Sequence, residues 1–200
     1  EMKRREIRIP FECISRADRL NEDILEKMAE LGSFRIWYGS ESGSQRILDA
    51  MKRQVSVEEI QQVTKLAQRK GIETGLFVML GYPGEEIADI EATVDHLKRT
   101  APDIFLTTVA YPINGTPFHA EHAQPRAGDA AWAVGTDRTL PVPGRHSDRF
   151  YWSATRYLVN EVHRHTARTN GTKGIIRKAA TYAKAKLARL AMELTKGERS

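Results

Sequence analysis

The chain has 200 residues, with 31 Lys or Arg, 26 Asp or Glu and one cysteine. Hydrophobic residues make up 40% and charged residues 28%, which is enough apolar material for a core and excludes wholesale disorder. The lone thiol, Cys13, excludes an internal disulfide framework and any multi-cysteine zinc or iron–sulfur site built from these residues alone.

The longest apolar run, near Leu76–Leu80, is too short to span a bilayer. The charged start, Glu1 to Ile7, leads toward a strand pattern rather than the apolar stretch of a secretory signal, so a cytoplasmic location is expected. The net charge of +5 is uneven: from Arg156 onward 11 basic and 3 acidic residues give +8, leaving −3 on the first 155. The basic character belongs to the tail, and no nucleic-acid partner is expected of the main domain.

In chain order, Ile7–Ile14 reads as extended, with Pro10 tolerated near a strand start. Asn21 caps a helix carrying Ile24, Leu25, Met28 and Leu31, and Gly32 ends it. Phe34–Tyr38 is a short strand closed by Gly39, and a helix from near Ser44 carries Ile47, Leu48 and Met51. Ser56 and Glu59 form a capping box for a helix through Ile60, Val63, Leu66 and Ala67, stopped by Gly71. Ile72–Leu80 suits a parallel strand buried on both faces. The turn Gly81-Tyr82-Pro83-Gly84 leads into a helix with Ile87, Ile90, Val94 and Leu97, and Pro102 precedes the strand Ile104–Ala110. Strands recurring at roughly 30 to 40 residues with helices between them predict an α/β fold with a parallel sheet, about half of an eight-stranded barrel.

His119–Ser147 has no period and reads as irregular. Phe150–Arg164 is helical, and Phe150, Tyr151, Trp152 and Tyr157 are expected in contacts with the core. Gly171 and Gly174 bracket a break before a last helix. Its Ile176, Ala180, Ala183, Leu187, Leu190 and Leu194 make one apolar stripe among lysines and arginines. That stripe docks on the barrel or on a preceding part of the protein; the other reading is a peripheral membrane contact. His119 and His122 stand at i, i+3 without ligand companions, and no metal site is expected.

Ligands of parallel sheets bind at the carboxyl ends of the strands. Those ends carry Ser15-Arg16, Gly39-Ser40-Glu41-Ser42-Gly43-Ser44, Gly81 to Glu85, and Tyr111 to Pro117. Two glycines before a helix start let backbone N–H groups approach a ligand, and an ionised Glu41 accepts hydrogen bonds from hydroxyls or an ammonium. Arg16 offers a fork for a carboxylate. The bland alternative is a set of tight, capped turns.

Taken in order, Gly39 to Leu48 with Met51-Lys52-Arg53, then Phe77 to Glu85, then Ala110 to Pro117 resemble the radical S-adenosylmethionine (radical SAM) superfamily. More narrowly, they resemble the branch whose members often carry an upstream cobalamin-binding domain. The resemblance covers about Ile7 to Glu121 and implies the later strands of a partial (β/α)6 barrel. The expected organisation is that half barrel over 1–121, an irregular connection over 122–149 and a basic helical extension over 150–200. Carried over position by position, the resemblance implies Arg16 at the cofactor carboxylate and Glu41, with Ser40 and Ser42, at its ribose or amino-acid portion. It implies Val78, Met79 and Leu80 beside the adenine, Gly81 at the turn after them, and Tyr111 and Pro112 at a strand end that meets adenine.

The family's Cys-x-x-x-Cys-x-x-Cys motif, which holds a [4Fe–4S] cluster, and its Gly-Gly-Glu segment are absent. The expectation is a C-terminal piece of a longer enzyme, inactive alone, whose cluster ligands lie outside this chain. Its parent would cleave S-adenosylmethionine reductively to a 5′-deoxyadenosyl radical, with methyl transfer or ring formation where cobalamin is present. The substrate, a small molecule or a lipid-like one, is not specified, and the missing N-terminal part is the expected partner. The rival reading is a non-catalytic half-barrel scaffold with a basic, partner-facing or membrane-facing tail.

Overall fold

The computed structural model describes residues 1–122, 142–167 and 171–199. Each apolar segment of the first half becomes a strand: β1 (Phe11–Ser15), β2 (Ser33–Glu41), β3 (Glu73–Leu80) and β4 (Ile104–Val109). They pair in parallel in the order β1-β2-β3-β4, with Cys13 opposite Ile36, Tyr38 opposite Leu76 and Val78 opposite Thr107. Parallel neighbours need a crossover, and helices α1 (Glu22–Leu31), α2 (Gln45–Ala50), α3 (Val57–Arg69) and α4 (Ile87–Thr100) supply it.

Local chemistry sets the boundaries. Asn21 Oδ1 accepts from the Ile24 N–H at 3.0 Å, and Ser56 and Glu59 form the reciprocal capping box. Each satisfies N–H groups that a helix start leaves open, at about 1 kcal/mol per cap. Gly32 ends α1 at a φ of 104°, which a residue with a Cβ rarely adopts. β1 starts at Phe11 rather than at Ile7. The Ile9 N–H turns to the Leu31 carbonyl at 3.3 Å and Pro10 has no N–H, so the ladder begins only after them.

The sheet buries one face. Ile36, Tyr38, Leu76, Val78 and Leu80 pack with Leu25, Ile60, Ile90, Val94 and Leu97, none of them more than 1% exposed. Alternate positions turn the other way. There Trp37 and Phe77 stack with ring centroids 5.3 Å apart, and Ile14 and Leu106 stay exposed. Gly75 makes room for this, because a Cβ there would collide with the Trp37 indole. Helices over one face and an open opposite face make the partial (β/α) barrel that the sequence predicts.

The expected irregular stretch from His119 is partly helical: Pro117–His122 forms α5. Residues 123–141, most of the expected connection, lie outside the described residues. Helix α6 (Asp148–Thr166) starts on a Ser147 cap and buries Phe150, Tyr151, Ala154, Leu158 and Val162. Tyr157 is half-buried, whereas Trp152 is not a core contact and lies exposed with the Arg156 guanidinium 4.4 Å above its ring. Helix α7 (Gly171–Thr195) returns beside α6, closed by the antiparallel bridge between His146 and Arg199 and by the Ser147 N–H donating to the Glu198 carbonyl at 3.1 Å. Gly171 and Gly174 do not bracket a break; both belong to the first turns of α7.

The α7 stripe does not dock on the barrel, one of the two contacts expected of it. Ala185, Ala188, Met192 and Thr195 face the protein, at 0–7% exposure. Ile176, Leu187, Leu190 and Leu194 face outward, at 56–76%. Alanines let α7 approach its neighbours closely, and that approach turns the leucines away. Arg189 ties the helix to Glu91 of α4 at 2.8 Å.

Candidate functional site at the carboxyl ends of β2, β3 and β4

A cavity of about 470 Å³ opens above the carboxyl ends of β2, β3 and β4. Glu41 and Met79 enter it from the strands, Met51, Lys52 and Arg53 from the segment after α2, and Tyr82, Tyr111, Phe118 and Glu121 close its far side. The volume lies within the range of ordinary ligand pockets.

Glu41 is placed by a bulge. Gly39 pairs with Phe77 and Glu41 with Val78, so Ser40 is an extra residue in β2. Glu41 itself has a φ of 54°, a left-handed conformation that costs a non-glycine residue and persists only where the surroundings enforce it. Those surroundings are the inward face of α4. Asp89, Thr93 and His96 stand at i, i+4 and i+7, a single helical stripe beneath the Gly39–Ser44 loop. Ser40 Oγ meets His96 Nε2 at 2.9 Å. Gln61 Nε2 donates to His96 Nδ1 at 3.2 Å, so the ring carries its proton on Nε2 and donates it to Ser40. Thr93 Oγ1 accepts from the Gly43 N–H at 2.9 Å and pairs with Ser42 Oγ at 3.2 Å. Asp89 accepts from Ser44 Oγ at 2.6 Å and pairs with Arg46. Gly43 permits this contact: a Cβ there would lie 2.5 Å from the Ala92 carbonyl.

The electrostatics follow from burial. Burial pushes His96 down to about 4, so the ring is neutral. Burial works to raise Asp89, but hydrogen bonds from Ser44, the Glu86 N–H and Arg46 outweigh it and keep the group below the ordinary carboxylate range. Burial raises the Glu41 carboxyl, and Arg53, 2.8 Å away, opposes the rise. Arg53 sits between Lys52 and Gln54, both left-handed at φ of 56° and 49°. Below the cavity wall, Glu85 is 3% exposed and accepts from the Gly81 N–H at 2.6 Å. Burial pushes it up to about 8, and its Oε1 has no hydrogen-bond partner among the described residues.

Of the ten residues assigned from the sequence, Glu41, Met79 and Tyr111 line the cavity. Ser40 and Ser42 point behind it, into the α4 hydrogen bonds. Val78 and Leu80 face the helices, because side chains alternate along β3 and Met79 takes the open side. Gly81 is held by Glu85 through its backbone, Pro112 is buried outside the lining, and Arg16 stands apart, closed on Asp18 at 2.9 Å. Lys52, Arg53 and Tyr82 belong to the sequence motifs without an assigned role, and Phe118 and Glu121 lie outside them. No spacing announces them: left-handed residues around Arg53 and the Tyr82–Phe118 ring stack, 5.6 Å between centroids, are products of the fold. The polar stripe Asp89, Thr93, His96 was visible as three polar residues among Ile90, Val94 and Leu97.

The sequence profile of the radical SAM superfamily matches residues 1–97. This part of the chain is similar to the radical SAM superfamily. Among curated relatives, an uncharacterized methyltransferase of Pyrococcus horikoshii is 28% identical over 115 residues, 58% of this chain and 25% of the relative. The cytidylyl-2-hydroxyethylphosphonate methyltransferase of Streptomyces wedmorensis is 29% identical over 105 residues, 49% of this chain and 20% of the relative. The chain thus spans only a fifth to a quarter of these relatives' length. A solved structure of the radical SAM methyltransferase TsrM from Kitasatospora setae, with cobalamin and a [4Fe–4S] cluster bound, overlays on 92% of this chain and 45% of its own. Its TM-score is 0.58 at 13% identity, a likeness of fold.

Radical SAM chemistry needs a cluster held by three thiolates, and this chain has one cysteine, half-buried on β1. Among the described residues no three His, Cys, Asp or Glu side chains form a metal-holding group. These residues do not fit the cluster. They do fit an adenosyl ligand: a half-buried carboxylate paired with Arg53, a thioether wall and aromatic sides surround a pocket of suitable volume.

Proposed function

We propose that this chain supplies the adenosyl-binding strand ends of a radical SAM enzyme of the methyl- or methylthiotransferase kind, with the cluster thiolates provided from outside these 200 residues. The observation that carries the proposal is the bulged, left-handed Glu41 aimed into the cavity beside Met79. Glu41 would accept hydrogen bonds from ribose hydroxyls or the cofactor ammonium, and Met79 would lie against the adenine. When bound, S-adenosylmethionine supplies a methyl group or an adenosyl radical. The residues of this chain hold and orient it and keep water from its face, and Arg53, 2.8 Å from Glu41, opposes the rise that burial gives this carboxyl. The names of the curated relatives support transfer of a methyl or methylthio group. Cobalamin, bound in TsrM, would be a cofactor of the longer protein.

The five methionines give a direct test. Methyl-labelled protein is titrated with S-adenosylmethionine and followed by NMR. Met51 and Met79, which line the cavity, should shift, while Met28 and Met192, packed in the core, should not. Glu41→Ala should weaken the response. A titration in which Met79 stays unmoved, or in which Glu41→Ala binds as well as the parent, overturns the proposal.

A further inference from the structure

The outward face of α7 is the largest feature that the radical SAM fold leaves without a role. At about 100° per residue, Ile176, Leu187, Leu190 and Leu194 fall within an arc of roughly 80° together with Ala179 and Ala183. The four large side chains are 56–76% exposed. The stripe runs over 19 residues, about 27 Å of helix. The opposite face is already committed, through Ala185, Ala188 and Met192 and through the Arg189–Glu91 ion pair.

Charge decides what covers the stripe. Lys186 borders it on one side, and Lys173 and Lys184 border it on the other. None of these three has an acidic partner among the described residues. The only acidic residue of α7, Glu193, is taken by Arg189 and Lys196. A second copy of the helix would set lysines against lysines, which repel. An anionic surface meets both borders at once, and lysine stems reach past an apolar stripe to charged headgroups. Among the described residues no helix is long and apolar enough to cross a membrane.

We infer that α7 lies in the interface of an anionic lipid bilayer, with its leucine stripe among the acyl chains and its lysines on acidic headgroups. Such a surface would hold the barrel end beside the membrane, independently of what the cavity binds.

The test is co-sedimentation of the full chain with vesicles of phosphatidylcholine, with and without phosphatidylglycerol. The protein should pellet with the anionic vesicles and bind neutral ones about tenfold or more weakly. Raised salt should weaken binding. The triple variant Leu187→Ser, Leu190→Ser, Leu194→Ser should lose binding, as should Lys173→Glu, Lys184→Glu, Lys186→Glu. All six positions are exposed, so unchanged thermal melting certifies the fold of both variants. Absence of binding to anionic vesicles at low salt overturns the inference. So does undiminished binding by the leucine variant, which would mean that general basicity suffices. A parent chain that ignores vesicles but self-associates, and that becomes monomeric on loss of the leucines, assigns the stripe to a protein contact and also overturns it. Cavity variants such as Glu41→Ala should leave vesicle binding unchanged, which separates this test from that of the adenosyl site.

Discussion

Replacing Glu85 with glutamine isolates the most unusual ionisable group in the fold. Burial pushes its carboxyl from 4.5 to about 8. The folded protein therefore holds the proton more tightly than the unfolded chain does. The stability tied to this group is fully present below pH 4.5, is lost as the pH climbs toward 8, and changes no further above that. The displacement corresponds to about 5 kcal/mol by pH 9, comparable to the whole stability of a small domain. Glutamine preserves size and a carbonyl for the Gly81 N–H but cannot ionise. Its amide NH2, placed where Oε1 has no partner, costs about 1–3 kcal/mol. Glu85→Gln should thus be more stable than the parent by about 2–4 kcal/mol at pH 9, and no more stable, or slightly less, at pH 5. Urea unfolding followed by circular dichroism at pH 5, 7 and 9 measures both. Curves that run parallel for the two proteins across this range would refute a buried, proton-holding Glu85.

The same variant should uncover His96. With its folded value lowered to about 4, stability falls as pH drops from 6.5 toward 4, by about 1.4 kcal/mol per unit; the parent masks this slope above pH 4.5 because Glu85 gains stability over the same interval, and urea titrations of Glu85→Gln should reveal it. Gly43→Ala drives a methyl group to 2.5 Å from the Ala92 carbonyl and the His96 Cβ, and should cost about 1–3 kcal/mol in urea unfolding while loosening the Glu41 loop. Ala185→Leu overpacks the buried side of α7 and should cost about 1–3 kcal/mol, whereas Leu187→Ser on the open side should stay within about 0.5 kcal/mol. Equal melting temperatures for these two α7 variants would contradict the orientation of the helix.

The strand and helix alternation was legible because it depends on local signals. Asn21, Gly32, and the Ser56–Glu59 box act within one turn of chain, and the structure uses each of them at the expected place. The faces were harder. Val78, Met79 and Leu80 are equally apolar, so periodicity could not tell that Met79 opens to the cavity while its neighbours enter the core. In α7 two stripes share the same period, one of leucines and one of small residues; hydrophobicity favours burying the leucines, and close helix approach selected the alanines. Glu41 was legible as a residue type at a strand end, but not the bulge at Ser40 that aims it, because that bulge is enforced from α4, more than forty residues away in sequence.

The ladder of Asp89, Thr93 and His96 means that Glu41 is steered from behind the sheet. A random mutagenesis screen for defective adenosyl binding should therefore collect hits on the hidden side of α4, at positions no ligand atom reaches. Such variants would lose about 1–3 kcal/mol of stability with the buried hydrogen bond and be blunt in affinity besides, their lesion transmitted through three hydrogen-bonded rungs rather than through any lost ligand contact.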